Sequence, residues 1–464
     1  MESKLRFFSI IGVILFVFAS SVTAAKTFDI RKYGAKGDGK TLNTNAINKA
    51  IQTCSKKGGG VVLIPQGIYL TGTIFLKSDV SLLLKKGAVI KGTSDLSAYY
   101  PFIASREMDQ NDTADQHNWN RALILGKGVK NVHITGAGII DGDHVFDPEG
   151  EEKMRGPHTI LLGESHDFTL SGITINNSAN YAFMAYDIEN ATFQNLTFNE
   201  GWDGIHIRGG KNILIRNSFF YTGDDAIAGG YWKNMVITEC HINSSCNGIR
   251  MIMPATGLTI SHCTFTGPGK YPHRTSKERK RNNMLSAILL QPGGWGKASG
   301  RIDDIHIHDV EIKKVATPLM IVLNEENEAG RILVEKVKAS AIGWSASSVE
   351  SWCGGYFEEV VFRDISVEYI GCENKELKEM TIQRPHVDSR QLPCWGWFAK
   401  NVKKLTFQNV ELKYTGKEVR PTFYFDSVKN IIFDKVACER VNDTDVIVST
   451  DSGSIKGKIN QYVP

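Results

Sequence analysis

Two short turns hold the side chains best suited to chemistry: Gly201-Trp-Asp-Gly-Ile-His-Ile and Thr222-Gly-Asp-Asp-Ala-Ile-Ala. Asp203 and Asp225 are 22 residues apart, and an Asn-Gly-Ile turn at Asn247 follows after another 22. In a chain that repeats at about that period, equal spacing stacks equivalent positions one above another. Asp203, Asp224 and Asp225 would then share one surface. Clustered carboxylates repel, so one should hold its proton more tightly than the others. An acid and a base so arranged can break a glycosidic bond. Taken singly, Asp-Gly and Gly-Asp-Asp are ordinary turn sequences; the common spacing gives them a joint reading.

Such a cluster needs a regular scaffold, and the sequence supplies one. A phrase of one polar residue, an alternating strand, a polar step and a second strand recurs at Asn131, Asp167, Asn190, Asn212, Asn234, Gly257, Asp304, Arg331, Glu359, Lys404 and Asn430. The steps from 167 to 257 are 23, 22, 22 and 23, and the step from 257 to 304 is 47, close to two coils. Alternation lets one strand face bury apolar residues while the other stays polar, and stacked coils share the core that one coil cannot close alone. The reading is all-β: a single-stranded right-handed parallel β-helix, as one domain over residues 25–464. Propeller blades would need about twice this repeat. The best helical pattern, Thr44 to Lys56, is expected to cap the N-terminal end of the stack and hide its edge strands.

Composition sets further bounds. The 464 residues are 42% apolar and 22% charged, ordinary for a globular protein, and the net charge of +4 gives no reason to expect nucleic-acid binding. Residues 1–24 read as a secretory signal: Lys4 and Arg6 precede an apolar run from Phe7 to Phe18, and Val22-Thr-Ala supplies a small-residue cleavage site. That run is too short to favour a spanning helix, so export is expected, to the periplasm or the extracellular space. The eight cysteines form no Cys-x-x-Cys pair, which argues against structural zinc. Cys240 and Cys263, one coil apart, are either stacked neighbours or a disulfide.

The opening Phe28-Asp-Ile-Arg-Lys-Tyr-Gly-Ala-Lys-Gly-Asp-Gly-Lys, with Gly58-Gly-Gly-Val-Val-Leu-Ile-Pro, Gly67-Ile-Tyr-Leu-Thr-Gly, Gly136-Ala-Gly-Ile-Ile-Asp-Gly and the acid turns, resembles the polygalacturonase-like glycoside hydrolases of family 28. These are pectin-degrading β-helix enzymes. The opening motif specifies fold more than activity; the acid turns are more specific. The resemblance implies that Asp224 protonates the leaving oxygen while Asp203 and Asp225 orient and deprotonate the attacking water, with inversion at the anomeric carbon. An inverting site is expected to hold acid and base about 6.5–9.5 Å apart. It implies a polysaccharide or oligosaccharide substrate, and no metal or cofactor.

The chain departs from that family's pattern around the acids. Gly201-Trp202 stands for Asn-Thr, Cys246-Asn247-Gly248 for Gly-His-Gly, and Leu289-Leu290-Gln291 for the Arg-Ile-Lys strand that grips a uronate. Strand alternation offers substitutes. If Ile205, Ile207, Ile227, Ile249, Met251, Ile288 and Leu290 point inward, His206, Arg208, Arg250 and Gln291 point outward beside the acids. Arg250 could take a carboxylate or sulfate in bidentate fashion, or pair with a catalytic acid or Glu200. Trp202 could stack on a sugar or cover the next coil, Asn247 sits one coil beyond Asp225, and His206 reads either as a site residue or as a satisfied surface histidine. The basic run from Lys270 to Arg281, including His273 and Arg274, is either a solvated loop or a wall for an anionic polysaccharide. The tryptophan-rich stretch 344–397 is expected to loop over one face and close one end of a cleft, which favours action on chain ends.

Two other functions fit the same scaffold. A β-helix polysaccharide lyase would pair an acidic cluster with an Arg or Lys base, as Arg250 beside three aspartates could. A non-catalytic polysaccharide-binding protein would keep the coil without the chemistry.

Overall fold

The computed structural model describes residues 26–102, 120–274, 280–324, 326–343 and 345–463. The signal-like segment 1–24, Trp344 and the centre of the basic run, 275–279, lie outside them.

The repeat becomes a stack of parallel strands, the right-handed parallel β-helix expected from the spacing. Phe183–Gln194 pairs with Ile205–Arg216, which pairs with Ile227–Thr238. The register is the sequence period itself: Ile205 lies on Ile227 and Ile227 on Ile249. In the central coils the polar residue opening the phrase is the corner. Asp167, Asn190, Asn212 and Asn234 take left-handed φ of 57°, 54°, 56° and 55°, which Asn and Asp tolerate better than most residues. Each asparagine donates its side-chain amide to the residue one coil below, at 3.0–3.2 Å. This ladder satisfies polar groups at these bends and fixes coil height there.

All seven residues expected to face inward, from Ile205 to Leu290, lie in one continuous apolar core. The helix Thr44–Lys56 caps that core with Ile47, Ala50, Ile51 and Cys54, a spacing that gathers one helical face. Its Asn48 accepts from Phe75 N at 2.9 Å and donates to Thr73 O at 2.9 Å, occupying edge groups that a further strand would otherwise use. Cys240 and Cys263 are buried stacked neighbours with free thiols.

One reading of the spacing is corrected. The interval of 47 residues is not two coils: Leu258 pairs directly with Ile305, so one coil carries a large insertion. The same holds for Val360 on Leu405. Insertions leave the strands in register and place loops over the outer face, and two of those loops build the site.

Candidate active site

On the outer face, one row of stacked positions runs Leu125, Leu161, Met184, His206, Ala228, Arg250, Leu289, Met320. Its two ends are apolar and covered. Leu125, Leu161 and Met184 pack with Phe102 and Tyr186, and Leu289 and Met320 pack with Val322 against Trp352. Between those ends the row carries His206, Ala228 and Arg250, of which the first two are buried and the Arg250 side chain is 12% exposed, and Ala228 contributes no more than a methyl group between two polar neighbours. The acid turns stand at the start of these same coils.

The turns stack closely because they lack side chains where they meet. A Cβ on Gly223 would lie 2.4 Å from Gly201 O and 3.0 Å from Pro272 O. The bare glycine therefore lets one acid turn sit on the other and lets the 270–274 segment lie across both. Asp225 N donates to Asp203 Oδ1 at 3.2 Å and to Asp224 Oδ1 at 3.1 Å. One carboxylate oxygen from each of Asp203, Asp224 and Asp225 lies within 4.8 Å of the other two. That is tighter than the gap expected for a separated acid and base.

Each acid is held by different partners. Asp203 Oδ2 accepts from His206 Nδ1 at 2.7 Å, and Arg208 Nε reaches the other ring nitrogen at 3.4 Å, which sets the tautomer. His206 lies buried and stacked on Tyr181 with ring centroids 4.7 Å apart. Burial, then the charges of Arg208 and neighbouring groups, hold its pKa well below the usual range, so it is a neutral donor. It is neither a surface histidine nor open to substrate; it orients Asp203. Asp225 Oδ1 accepts from Asn247 N and Nδ2, both at 2.9 Å, and Oδ2 faces Arg250 Nη1 at 3.2 Å. Asn247 is thus a support for Asp225, and Arg250 pairs with that same acid. Asp224 lies 3.4 Å from His273 Nε2 and 3.7 Å from Arg155 Nη2.

These contacts separate the acids electrostatically. Burial, then the charges of Asp224 and Asp225, push Asp203 well above the usual carboxylate range. Asp225 is also raised by burial and by Asp224, against the pull of Arg250. For Asp224, burial is outweighed by the His273 hydrogen bond and by Arg155 and Arg250, and its carboxyl is held low. Asp203 is therefore pushed toward holding its proton and Asp224 toward the carboxylate form.

The remaining candidates divide. Trp202 is corrected: it is buried, with the Arg155 guanidinium 3.7 Å from its ring centroid, Arg274 at 5.9 Å and His273 edge-on. These residues occupy its faces, so it packs the turn and does not offer a sugar platform. Gln291 is buried and donates to His386 O at 2.6 Å, tying down the second loop instead of facing the acids. Arg274 contacts His144, which pairs with Glu200. The basic run is not simply solvated at its described ends: His273 N bonds Arg281 O at 2.7 Å and seats His273 on Asp224. The loop from the tryptophan-rich stretch covers one end as expected, through Ser389 to Leu285 O and Arg390 to Glu350.

Two site residues were not legible in the sequence. Arg155 enters from a loop outside the repeat, so no periodicity marks it. Trp295, 53% exposed, lies over Arg250 with the guanidinium 5.1 Å from its ring centroid. Its setting in Pro292-Gly-Gly-Trp-Gly, an aromatic in a glycine-rich turn, was the available signal.

Similarity to known proteins agrees with this architecture. The family described as rhamnogalacturonase A/epimerase, pectate lyase-like matches residues 27–270. An exo-poly-alpha-D-galacturonosidase of Dickeya chrysanthemi is 29% identical over 260 residues, 46% of this chain and 43% of that protein, so the match spans less than half of that relative. A polygalacturonase of Gossypium barbadense is 25% identical over 419 residues, 83% of this chain and 94% of its own. Among solved structures, the exopolygalacturonase of Thermotoga maritima superposes with a TM-score of 0.63 at 18% identity, covering 84% of this chain and 92% of that one. The family 28 exopolygalacturonase of Yersinia enterocolitica gives 0.61 at 18%, covering 93% and 78%. At that identity the superpositions establish the fold. The chain belongs to the rhamnogalacturonase A/epimerase, pectate lyase-like family and is a polygalacturonase-like glycoside hydrolase.

Proposed function

We propose that this protein hydrolyses glycosidic bonds in a pectin-like acidic polysaccharide, working from chain ends, with Asp203, Asp224 and Asp225 as the catalytic groups. The observation that carries the reading is the carboxylate triangle, whose oxygens lie within 4.8 Å of one another and are each tied to distinct donors. The curated relatives, named for cleaving polygalacturonan, point to pectin as the substrate class.

In this mechanism Asp203 and Asp225 hold and deprotonate the attacking water, and Asp224 serves the leaving oxygen. Asp224 is the most accessible of the three, 8% exposed against 3% for each of the others, so a glycosidic oxygen reaches it first. It is a carboxylate in the free site, and its low pKa rests on contacts of 3.4 and 3.7 Å with cationic or hydrogen-bonding partners. An anionic sugar competes for those partners, which raises Asp224 and allows it to take a proton from the Asp203 side of the cluster. Direct attack by water, hence inversion, belongs to this proposal and rests on the family resemblance of the acid turns.

Chain-end action is supported by the covered row. The three coils between the apolar ends span about 10 Å at a strand spacing of roughly 4.8 Å, a short stretch with an apolar, occupied wall at each side. The lyase alternative is disfavoured by the state of Arg250. Burial works against its charge, but Asp225 and Asp224 outweigh burial and raise its pKa, so it does not serve as a base. Export after removal of residues 1–24 belongs to this proposal and rests on the sequence of that segment. No helix among the described residues is long and apolar enough to cross a membrane. The test is release of reducing ends from polygalacturonan and rhamnogalacturonan by the wild type and by D203N, D224N and D225N. All three variants should lose turnover, and full turnover in all three would refute the mechanism.

A further inference from the structure

We infer that Arg250 and Trp295 together form a carboxylate-selecting sugar subsite, which this chain carries in place of a basic pair on the following strand. The inference rests on the hydrolase reading and specifies what the site requires of the sugar beside the scissile bond.

Three observations converge. Arg250 uses only one corner of its guanidinium on the protein: Nη1 faces Asp225 Oδ2 at 3.2 Å. Nε and Nη2, the two nitrogens of the side edge, are buried and have no hydrogen-bond partner among the described residues. That edge is the planar fork that fits a carboxylate with two parallel hydrogen bonds, a geometry an ammonium cannot offer. The Arg250 side chain is only 12% exposed, so it is held in a fixed direction. Trp295 lies above the same guanidinium at 5.1 Å and is 53% exposed, offering an amphipathic aromatic face to a sugar ring at the mouth of the site.

The strand register explains why the subsite sits here. Leu289 is the residue stacked on Arg250 one coil further, and it is buried in the apolar cluster under Trp352, so that row position carries no charge. On the other side Ala228 is the neighbour of Arg250, and its small side chain leaves the guanidinium the only cationic group in that row between His206 and Leu289. A uronate ring lying on Trp295 would direct its carboxylate to the Nε–Nη2 edge.

The test compares R250K, W295A and W295F with the wild type on galacturonate oligomers and on the same oligomers after reduction of their carboxyl groups. R250K keeps a cation near Asp225 but loses the fork. It should raise KM for the acidic oligomers about tenfold or more, with a smaller change in kcat, and abolish the preference over reduced oligomers. W295A should raise KM for both kinds of oligomer, and W295F should recover part of the loss. An unchanged acidic-to-reduced preference in R250K overturns the inference. Titration of D224N with trigalacturonate separates this from the hydrolase reading. Binding that weakens when R250K is added supports the subsite even without turnover. Binding that R250K leaves unchanged, or no binding at all, refutes it.

Discussion

His273 Nε2 stands 3.4 Å from Asp224 Oδ1, brought there by a loop that crosses the bare backbone of Gly223. This contact, with Arg155 beside it, sets the two adjacent aspartates apart. Asp224 and Asp225 are both buried, yet Asp224 is held low and Asp225 is raised, because His273 and Arg155 face the first.

Replacing His273 by alanine removes a lowering influence, so the Asp224 pKa must rise. If Asp224 works as the proton donor, the alkaline limb of kcat/KM moves to higher pH, because the protonated fraction persists longer. If Asp224 works as a base, the acidic limb moves up instead. A pH profile of H273A against the wild type reads the role directly, and an unshifted profile contradicts the electrostatic account.

Asp203 should show the opposite of a stabilising group. Its folded pKa is raised, so folding binds a proton and stability falls as pH rises from the unfolded value near 4, levelling off above the folded pKa. D203N removes that cost while keeping an acceptor for His206. We expect turnover to fall by about a thousandfold or more and Tm near neutral pH to rise by roughly 2 °C or more. The Tm gap should shrink on acidification below pH about 4. A variant destabilised at neutral pH would mean that Asp203 is stabilising as an anion.

Asn247 tests positioning. Its side-chain amide donates to Asp225 Oδ1 at 2.9 Å, and the backbone donor at the same oxygen survives substitution. N247A should therefore lower kcat by about ten- to a hundredfold, corresponding to roughly 1–3 kcal/mol for one lost bond to a charged group, with little change in KM. An effect confined to KM would place Asn247 on the substrate instead.

The covered row predicts how polymer is consumed. With Leu161 and Met184 closing one side and Leu289 and Met320 the other, reducing ends should accumulate while viscosity falls slowly. Rapid loss of viscosity at low conversion would mean that the loops part to admit internal bonds.

Much of this architecture was legible before any coordinates. Stacking at a fixed period is a property of the sequence itself, so Asp203, Asp225 and Asn247 were placed in line, and the inward set from Ile205 to Leu290 followed from alternation. What lay outside the period was not legible. Arg155 arrives from an irregular loop and covers Trp202, which is why that tryptophan packs inside instead of meeting sugar. The interval of 47 residues looked like two coils because length alone does not distinguish a second coil from an insertion; only the pairing of Leu258 with Ile305 does. The burial of His206 was not legible for a related reason. Its strand position is outward, but Tyr181 and Asp203 bury it from above.

The most direct test of the central claim is the fate of the oxygen at the cleaved bond. Digestion of polygalacturonan in water enriched in heavy oxygen should place one labelled oxygen on each new reducing end, with no ultraviolet-absorbing unsaturated sugar, and D224N should abolish the incorporation. Unsaturated products without label would show elimination, and would contradict hydrolysis by the three aspartates.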